Sequence, residues 1–154
     1  MAQGIHPGNK ASLSMGIGSH RATLGSVGSY QVAGKPWMTG STDIDNEVQH
    51  KISFPQVTKS ITVINKSSVD LRIHFNDAMA TTTPGNVTGS AGGTGSGLHY
   101  ITLTEDRDSI TFNVKCKEIY ITSQADNGAY EMFAELTHIA PDMMYPLTGS
   151  GLTD

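Results

Sequence analysis

Short runs in which apolar and polar side chains alternate one for one dominate this chain from about residue 48 onward. The clearest run is 69–75, where every second residue is apolar, and similar alternation marks 48–54, 110–114 and 130–136. Such a period of two is typical of β-strands that bury one face, and no segment has the spacing of an amphipathic helix. The sequence therefore predicts an all-β domain, an antiparallel β-sandwich or jelly roll of about seven to eight strands.

Two of these runs lie close together in the sequence. The β-branched run 60–65 and the alternating run 69–75 are separated only by a short polar stretch, 66–68. Two strand-like runs joined by so few polar residues are a hairpin signal. We expect the two strands to pair with each other in one sheet.

The N-terminal segment has a different composition. Residues 1–42 hold eight glycines, three basic residues and no acidic residue, and their apolar residues follow no sustained period. Ordering so many glycines costs conformational entropy that this segment alone cannot offset by burial. We expect an extended Gly/Ser-rich arm over 1–42 that orders on a neighbouring molecule, a β-sandwich body over 43–141 and a C-terminal tail over 142–154.

Charge is divided unevenly between the arm and the rest of the chain. Residues 1–42 carry a charge of +3, whereas the remaining residues carry seven basic and fourteen acidic groups. This division suits a basic arm that lies across the acidic body of an identical or related subunit; the alternative is that these charges are only solvated. The net charge of −4 argues against nucleic acid as a partner. The sequence shows neither a secretory signal nor a membrane-spanning run, so we expect a protein made in a cytoplasm without a membrane partner.

Candidate chemistry in the sequence is sparse. The single cysteine, Cys116, shares the parity of apolar neighbours, which favours a buried side chain over a reactive thiol. The six histidines lack zinc-site spacing, and the oxygen-rich stretch 43–47 lacks the glycine and the distant glutamate of an EF-hand calcium loop. The glycine-rich stretch 77–97 has no Gly-Lys-Ser/Thr of a phosphate-binding loop. We predict no catalytic residues, no metal and no cofactor.

Contacts to partners are expected at both ends of the chain, where large side chains stand among small or polar ones. Trp37 has a second interpretation as a lid over the core, and the Met-rich tail has a second interpretation as a segment that packs back onto the sandwich. The candidate partner-binding residues are Arg21, Tyr30, Trp37, Met38, Met143, Met144 and Tyr145.

Several segments of the chain are similar to parts of known virion proteins. The stretches 60–75, 117–123 and 130–138 and the Thr-Gly-Ser-Gly-Leu-Thr sequence at 148–153 resemble capsid decoration, or cement, proteins of tailed bacteriophages from marine and cyanobacterial hosts. The resemblance implies a β-sandwich on the capsid surface of the virion that bridges neighbouring major capsid subunits. It implies the major capsid protein and copies of the chain itself as partners, in a homo-oligomer on a symmetric shell.

Three other classes fit the same composition. A head–tail connector or another tail component differs from a cement protein only in its place in the particle. A carbohydrate-binding β-sandwich module is the second class, although most aromatic residues have core positions. An enzyme is the least favoured class, because the sequence suggests no pocket with convergent polar groups.

Overall fold

The protein is described by a computed structural model that covers residues 24–25, 34–46, 48–77, 99–147, 149 and 152. These residues form strands and one short turn of 3₁₀ helix, and no helix among them is both long and apolar enough to cross a membrane. The strands are β1 (Lys35–Ile44), β2 (Gln49–Ser53), β3 (Thr58–Asn65), β4 (Leu71–His74), β5 (Ile101–Leu103), β6 (Ser109–Phe112), β7 (Glu118–Ser123) and β8 (Gly128–Leu136); the 3₁₀ turn is Pro141–Met143.

The eight strands form two four-stranded antiparallel sheets, which confirms the predicted β-sandwich. Sheet A has the order β1-β8-β3-β6, and sheet B has the order β2-β7-β4-β5. Along the chain, strands are assigned alternately to the two sheets, except that β4 and β5 are neighbours in sheet B. This order is that of a jelly roll, one of the two architectures predicted from the sequence.

Side chains on the inner faces of the two sheets form the core. In β8 the even-numbered residues Tyr130 to Leu136 are buried, as the alternation predicts. They lie beside Ile61 and Val63 of the neighbouring strand β3 in the same cluster. Ile119 and Ile121 of β7 bring the opposing sheet to this cluster. The face that each of these three strands turns toward the core thus follows from the period-two pattern.

The predicted boundary between arm and body is wrong. Residues 35–42, assigned to the arm, belong to β1, which pairs antiparallel with β8 from Lys35↔Leu136 to Ser41↔Tyr130. The sequence of this segment has no internal period that predicts a strand, because the segment gains its hydrogen bonds and its contacts from β8. The rest of the predicted arm, apart from Leu24, Gly25 and Gly34, lies outside the described residues.

The predicted hairpin of β3 and β4 is also wrong. β3 pairs with β6 and β8 in sheet A, whereas β4 pairs with β5 and β7 in sheet B. The connection between them crosses from one sheet to the other, and the fully buried Asn65 stabilises this corner. Its amide nitrogen donates to the carbonyls of Val69 (2.8 Å) and Leu103 (3.2 Å), and its amide oxygen accepts from the Ser67 backbone (2.9 Å).

The tail begins by packing against the sandwich. Met144 is buried beside Val57 and Ile139 in a small second cluster, against which Met143 and Leu147 also pack. This arrangement agrees with the second interpretation of the tail for its first residues. The stretch 78–98, which includes most of the predicted glycine-rich loop, lies outside the described residues.

Candidate interaction surfaces

Successive residues of β1 face opposite sides of sheet A. Trp37 points inward and packs edge-on against Phe54, with ring centroids 5.1 Å apart and an angle of 75° between the rings. Met38 points outward and is 74% exposed. Of these two predicted anchors, Trp37 therefore acts as the lid over the core, and only Met38 has a side chain exposed at the surface.

Met38 is part of an apolar patch on the outer face of sheet A. The register places it opposite Phe133 of β8, which is 40% exposed. Together with Ile64 of β3 they line a concavity of about 480 Å³. We call Met38, Phe133 and Ile64 the Met38–Phe133 patch. Neighbouring exposed apolar side chains on a sheet face are a feature of protein contact sites.

Charged residues of both signs frame this patch. Glu131 and Glu135 flank Phe133 along the outer face of β8. The Lys66 ammonium lies 4.0 Å from Glu131, and the Lys59 ammonium lies 3.9 Å from Glu135. All four side chains are substantially exposed, so these pairs add little to folding stability. They form a polar rim around an apolar centre, the usual anatomy of a protein interface.

An uncharged row also crosses the whole of sheet A through the patch. Met38, Phe133, Thr62 and Thr111 are register neighbours from β1 to β6, and the two threonine hydroxyls are 2.8 Å apart. Phe133 was not among the residues predicted to bind a partner. The sequence feature that could have identified it is an aromatic residue at a position of β8 that the alternation assigns to the polar face, between two glutamates.

The centre of the outer face of sheet B is closed instead. His74 of β4 lies on this face and is only 1% exposed, stacked on Tyr120 with the rings 5.7 Å apart. Its Nδ1 donates to the Asn76 carbonyl at 2.8 Å, which leaves Nε2 to accept from the Thr122 hydroxyl at 2.9 Å. Burial lowers the pKa of His74, against the smaller opposing effects of Asn76 and Asp77, so the ring is held neutral.

Tyr120 extends this closed face to the edge of sheet B. Its hydroxyl donates to Glu118 at 2.8 Å, and Lys51 on β2 lies 2.9 Å from the same carboxylate. Burial, followed by the bond to Glu118, raises the pKa of Tyr120 to about 12. These groups bond to one another across adjacent strands, which stabilises the sheet.

Cys116 is buried, as the alternation predicts. Its backbone N–H donates to the Thr58 hydroxyl at 3.1 Å, and its sulfur lies 3.4 Å from the same oxygen. Burial raises the pKa of the thiol to about 11, so it stays protonated near neutral pH.

A small cleft lies where the tail passes over sheet B. Its volume is about 220 Å³, and its walls include Phe75, Asn76, Asp77 and Tyr145. Tyr145 is 62% exposed, whereas Asn76 is only 7% exposed and its buried Nδ2 has no hydrogen-bond partner. The cleft thus combines an exposed aromatic ring with an amide that has spare donor capacity.

The remaining predicted partner-binding residues are distributed as follows. Met143 is half-buried and Met144 is buried, so both contribute to packing of the tail, and only Tyr145 of that group is exposed. Arg21 and Tyr30 lie outside the described residues. The structure therefore places Met38 and Tyr145 at the surface, each beside a concavity.

Metal ligands do not converge in the part of the chain that the structure describes. No group of three or more His, Cys, Asp or Glu side chains with the geometry of a metal site occurs there. Within the oxygen-rich stretch 43–47, the backbone N–H of Asn46 donates to the Asp126 carboxylate at 2.8 Å, which is a structural contact. Glu47 lies outside the described residues.

Comparisons of the chain with protein-family models, with curated proteins and with solved structures find no match.

Proposed function

We propose that this chain is a virion structural protein that decorates and cements the outer capsid shell by binding across neighbouring major capsid subunits. The observation that carries the proposal is the Met38–Phe133 patch, which lies on the outer face of sheet A within a rim of ion pairs. An apolar centre with a polar rim suits a lasting contact with a protein surface. The resemblance of several segments to phage decoration proteins supplies the identity of that surface.

The jelly roll suits this role mechanically. A cement protein needs a body that keeps its shape under load, and eight strands around one continuous core supply it. Viral capsid domains are among the proteins that use this architecture. Fold alone does not assign a function, so the proposal rests on the patch and on the resemblance.

The segment that precedes β1 adds a second means of contact. It holds 34 residues with two basic side chains, Lys10 and Arg21, and no acidic one. Fully extended, such a segment spans at most about 110–120 Å, which is enough to reach a neighbouring subunit. It enters sheet A at Lys35, on the same edge strand that carries Met38. A symmetric shell would hold each copy through both contacts at once, which raises the overall avidity.

Co-sedimentation with capsid shells tests this proposal. Shells assembled from the major capsid protein of the same genome are mixed with the wild-type chain and with a Met38→Ser/Phe133→Ser variant. We expect the wild type to pellet with the shells at a saturable ratio and the variant to lose about tenfold or more in affinity.

Ile101→Ser serves as the matched control. Ile101 is 43% exposed, close to the 40% of Phe133, but it lies on β5 of sheet B. This variant should bind the shells as the wild type does. Absence of wild-type binding, or equal losses in all variants, would contradict the proposal.

The cleft beside Tyr145 favours a second candidate function, that of a carbohydrate-binding module. Sugars bind proteins by laying an apolar face on an aromatic ring while their hydroxyls bond to amides and carboxylates. Tyr145, Asn76 and Asp77 supply these groups around about 220 Å³. The binding of a mono- and oligosaccharide panel to the wild type, and its loss in Tyr145→Ala, would favour this function over the capsid proposal. No binding across the panel would remove it.

A further inference from the structure

The outer edge of β1 is the longest strand edge that the sandwich leaves open. β1 has ten residues, whereas the other edge strands β2, β5 and β6 have five, three and four. Within the described residues its outer edge pairs with no strand. Residues 36–42 carry no charge. A lysine and a proline, which usually protect an edge, stand at the start of β1, and a register shift between Ser41 and Ile44 interrupts its end. A long uncharged edge is a template for pairing with another strand.

Two observations identify the residues whose backbone groups point outward from this edge. Pro36 has no backbone N–H and cannot donate to β8. The even-numbered residues of β1 are therefore the ones whose backbone groups point away from β8. The Tyr130 carbonyl oxygen would lie only 2.7 Å from a Cβ on Gly40, which shows that this oxygen is aimed at β1. Tyr130 is the register partner of Ser41. From Lys35 to Ser41 the odd-numbered residues of β1 therefore bond to β8, and the backbone groups of Met38 and Gly40 point to the open edge.

We propose that β1 pairs with β1 of a second copy, antiparallel about a two-fold axis through Thr39, and so joins two sheets A into one. In this register residue i lies opposite residue 78 − i of the second copy over residues 37–41, within the part of β1 whose register with β8 is regular.

The side chains in the middle of the contact are complementary in size. Met38 lies opposite Gly40 of the other copy, where no side chain competes for space. Thr39 lies opposite itself, and cross-strand threonine pairs stabilise antiparallel sheets. The two Met38 side chains become diagonal neighbours, so the Met38–Phe133 patches of both copies form one continuous apolar stripe. This inference needs only the edge of β1 and stands independently of capsid binding.

Disulfide trapping tests the register. Cys116 is buried and its thiol stays protonated, so a cysteine placed on β1 is the reactive one. Thr39→Cys should form a disulfide-linked dimer under mild oxidation, because the two copies of residue 39 face each other at a Cα separation of about 4.5 Å. Thr42→Cys is the control, since its two copies lie about 20 Å apart in this register. A Thr39→Cys variant that stays monomeric, or equal trapping of both variants, would overturn the proposal.

Sedimentation of the chain alone tests the same contact without covalent chemistry. The wild type should form a dimer that dissociates on dilution, and a wild type that is monomeric at all concentrations would refute the two-fold pairing. Neither the trapping nor the sedimentation depends on a capsid.

Discussion

The outer faces of the two sheets differ in what they do with large side chains. Sheet B buries His74 and Tyr120 on its outer face, at 1% and 2% exposure, and bonds them to their neighbours. Sheet A leaves Met38 and Phe133 exposed at 74% and 40%. Burial with satisfied hydrogen bonds stabilises the fold, whereas exposed apolar area gains free energy only when a partner covers it. One face therefore contributes to stability and the other is available for contacts.

The largest expected effect concerns the edge strand of sheet A. Deletion of residues 1–42 removes most of β1, exposes the edge of β8 and uncovers Phe54 by removing Trp37. We expect this truncated chain to lose cooperative thermal unfolding, measured by circular dichroism. Deletion of residues 1–33 leaves β1 intact and should keep a cooperative transition. If both truncations unfold alike, β1 is not required for the core.

A smaller effect is expected from the closed face of sheet B. His74→Ala removes a stacked ring and leaves the Thr122 hydroxyl and the Asn76 carbonyl without their partner. The free energy of unfolding in urea should fall by about 3–4 kcal/mol. Ile101→Ala, at a half-exposed position of the same sheet, should cost much less. A loss below about 1 kcal/mol for His74→Ala would mean that this face is not structural.

The same histidine makes the closed face sensitive to acid. Burial lowers the pKa of His74 in the folded protein, so the unfolded chain binds this proton more readily. Stability from this group is complete above the unfolded pKa of about 6.5 and is lost as the pH falls below it. Unfolding in urea at pH 7.5 and at pH 5.5 should show a drop for the wild type. His74→Gln, which cannot titrate there, should show a smaller drop; equal drops would exclude His74 as the cause.

The smallest expected effect on stability belongs to the exposed face of sheet A. Met38→Ser and Phe133→Ser change side chains that the folded monomer leaves in water, so the free energy of unfolding should shift by no more than about 0.5 kcal/mol each. Their effect should appear in association instead. A loss of several kcal/mol in either variant, measured in urea at a concentration where the chain is monomeric, would place that residue in the core.

The period-two pattern of the sequence predicted some features of this fold and missed others. Alternation identified the strands, the β-sandwich and the inward side of β8, because a half-buried strand requires that period. It could not identify β1, in which only Trp37 and Ile44 pack on the core and they do not share one regular period. It also could not distinguish the two outer faces, since His74 and Phe133 both stand on polar parities among charged neighbours.

Local periodicity is enough to predict that this chain folds as strands and that Cys116 is buried. The assignment of β3 and β4 to different sheets needs the folded structure, because a short polar connection fits a hairpin and a corner equally well. Asn65 resolves that choice through bonds to Val69 and Leu103, the second of which lies 38 positions further along the chain. Partners of this kind are set by long-range packing, which the order of neighbouring residues does not encode.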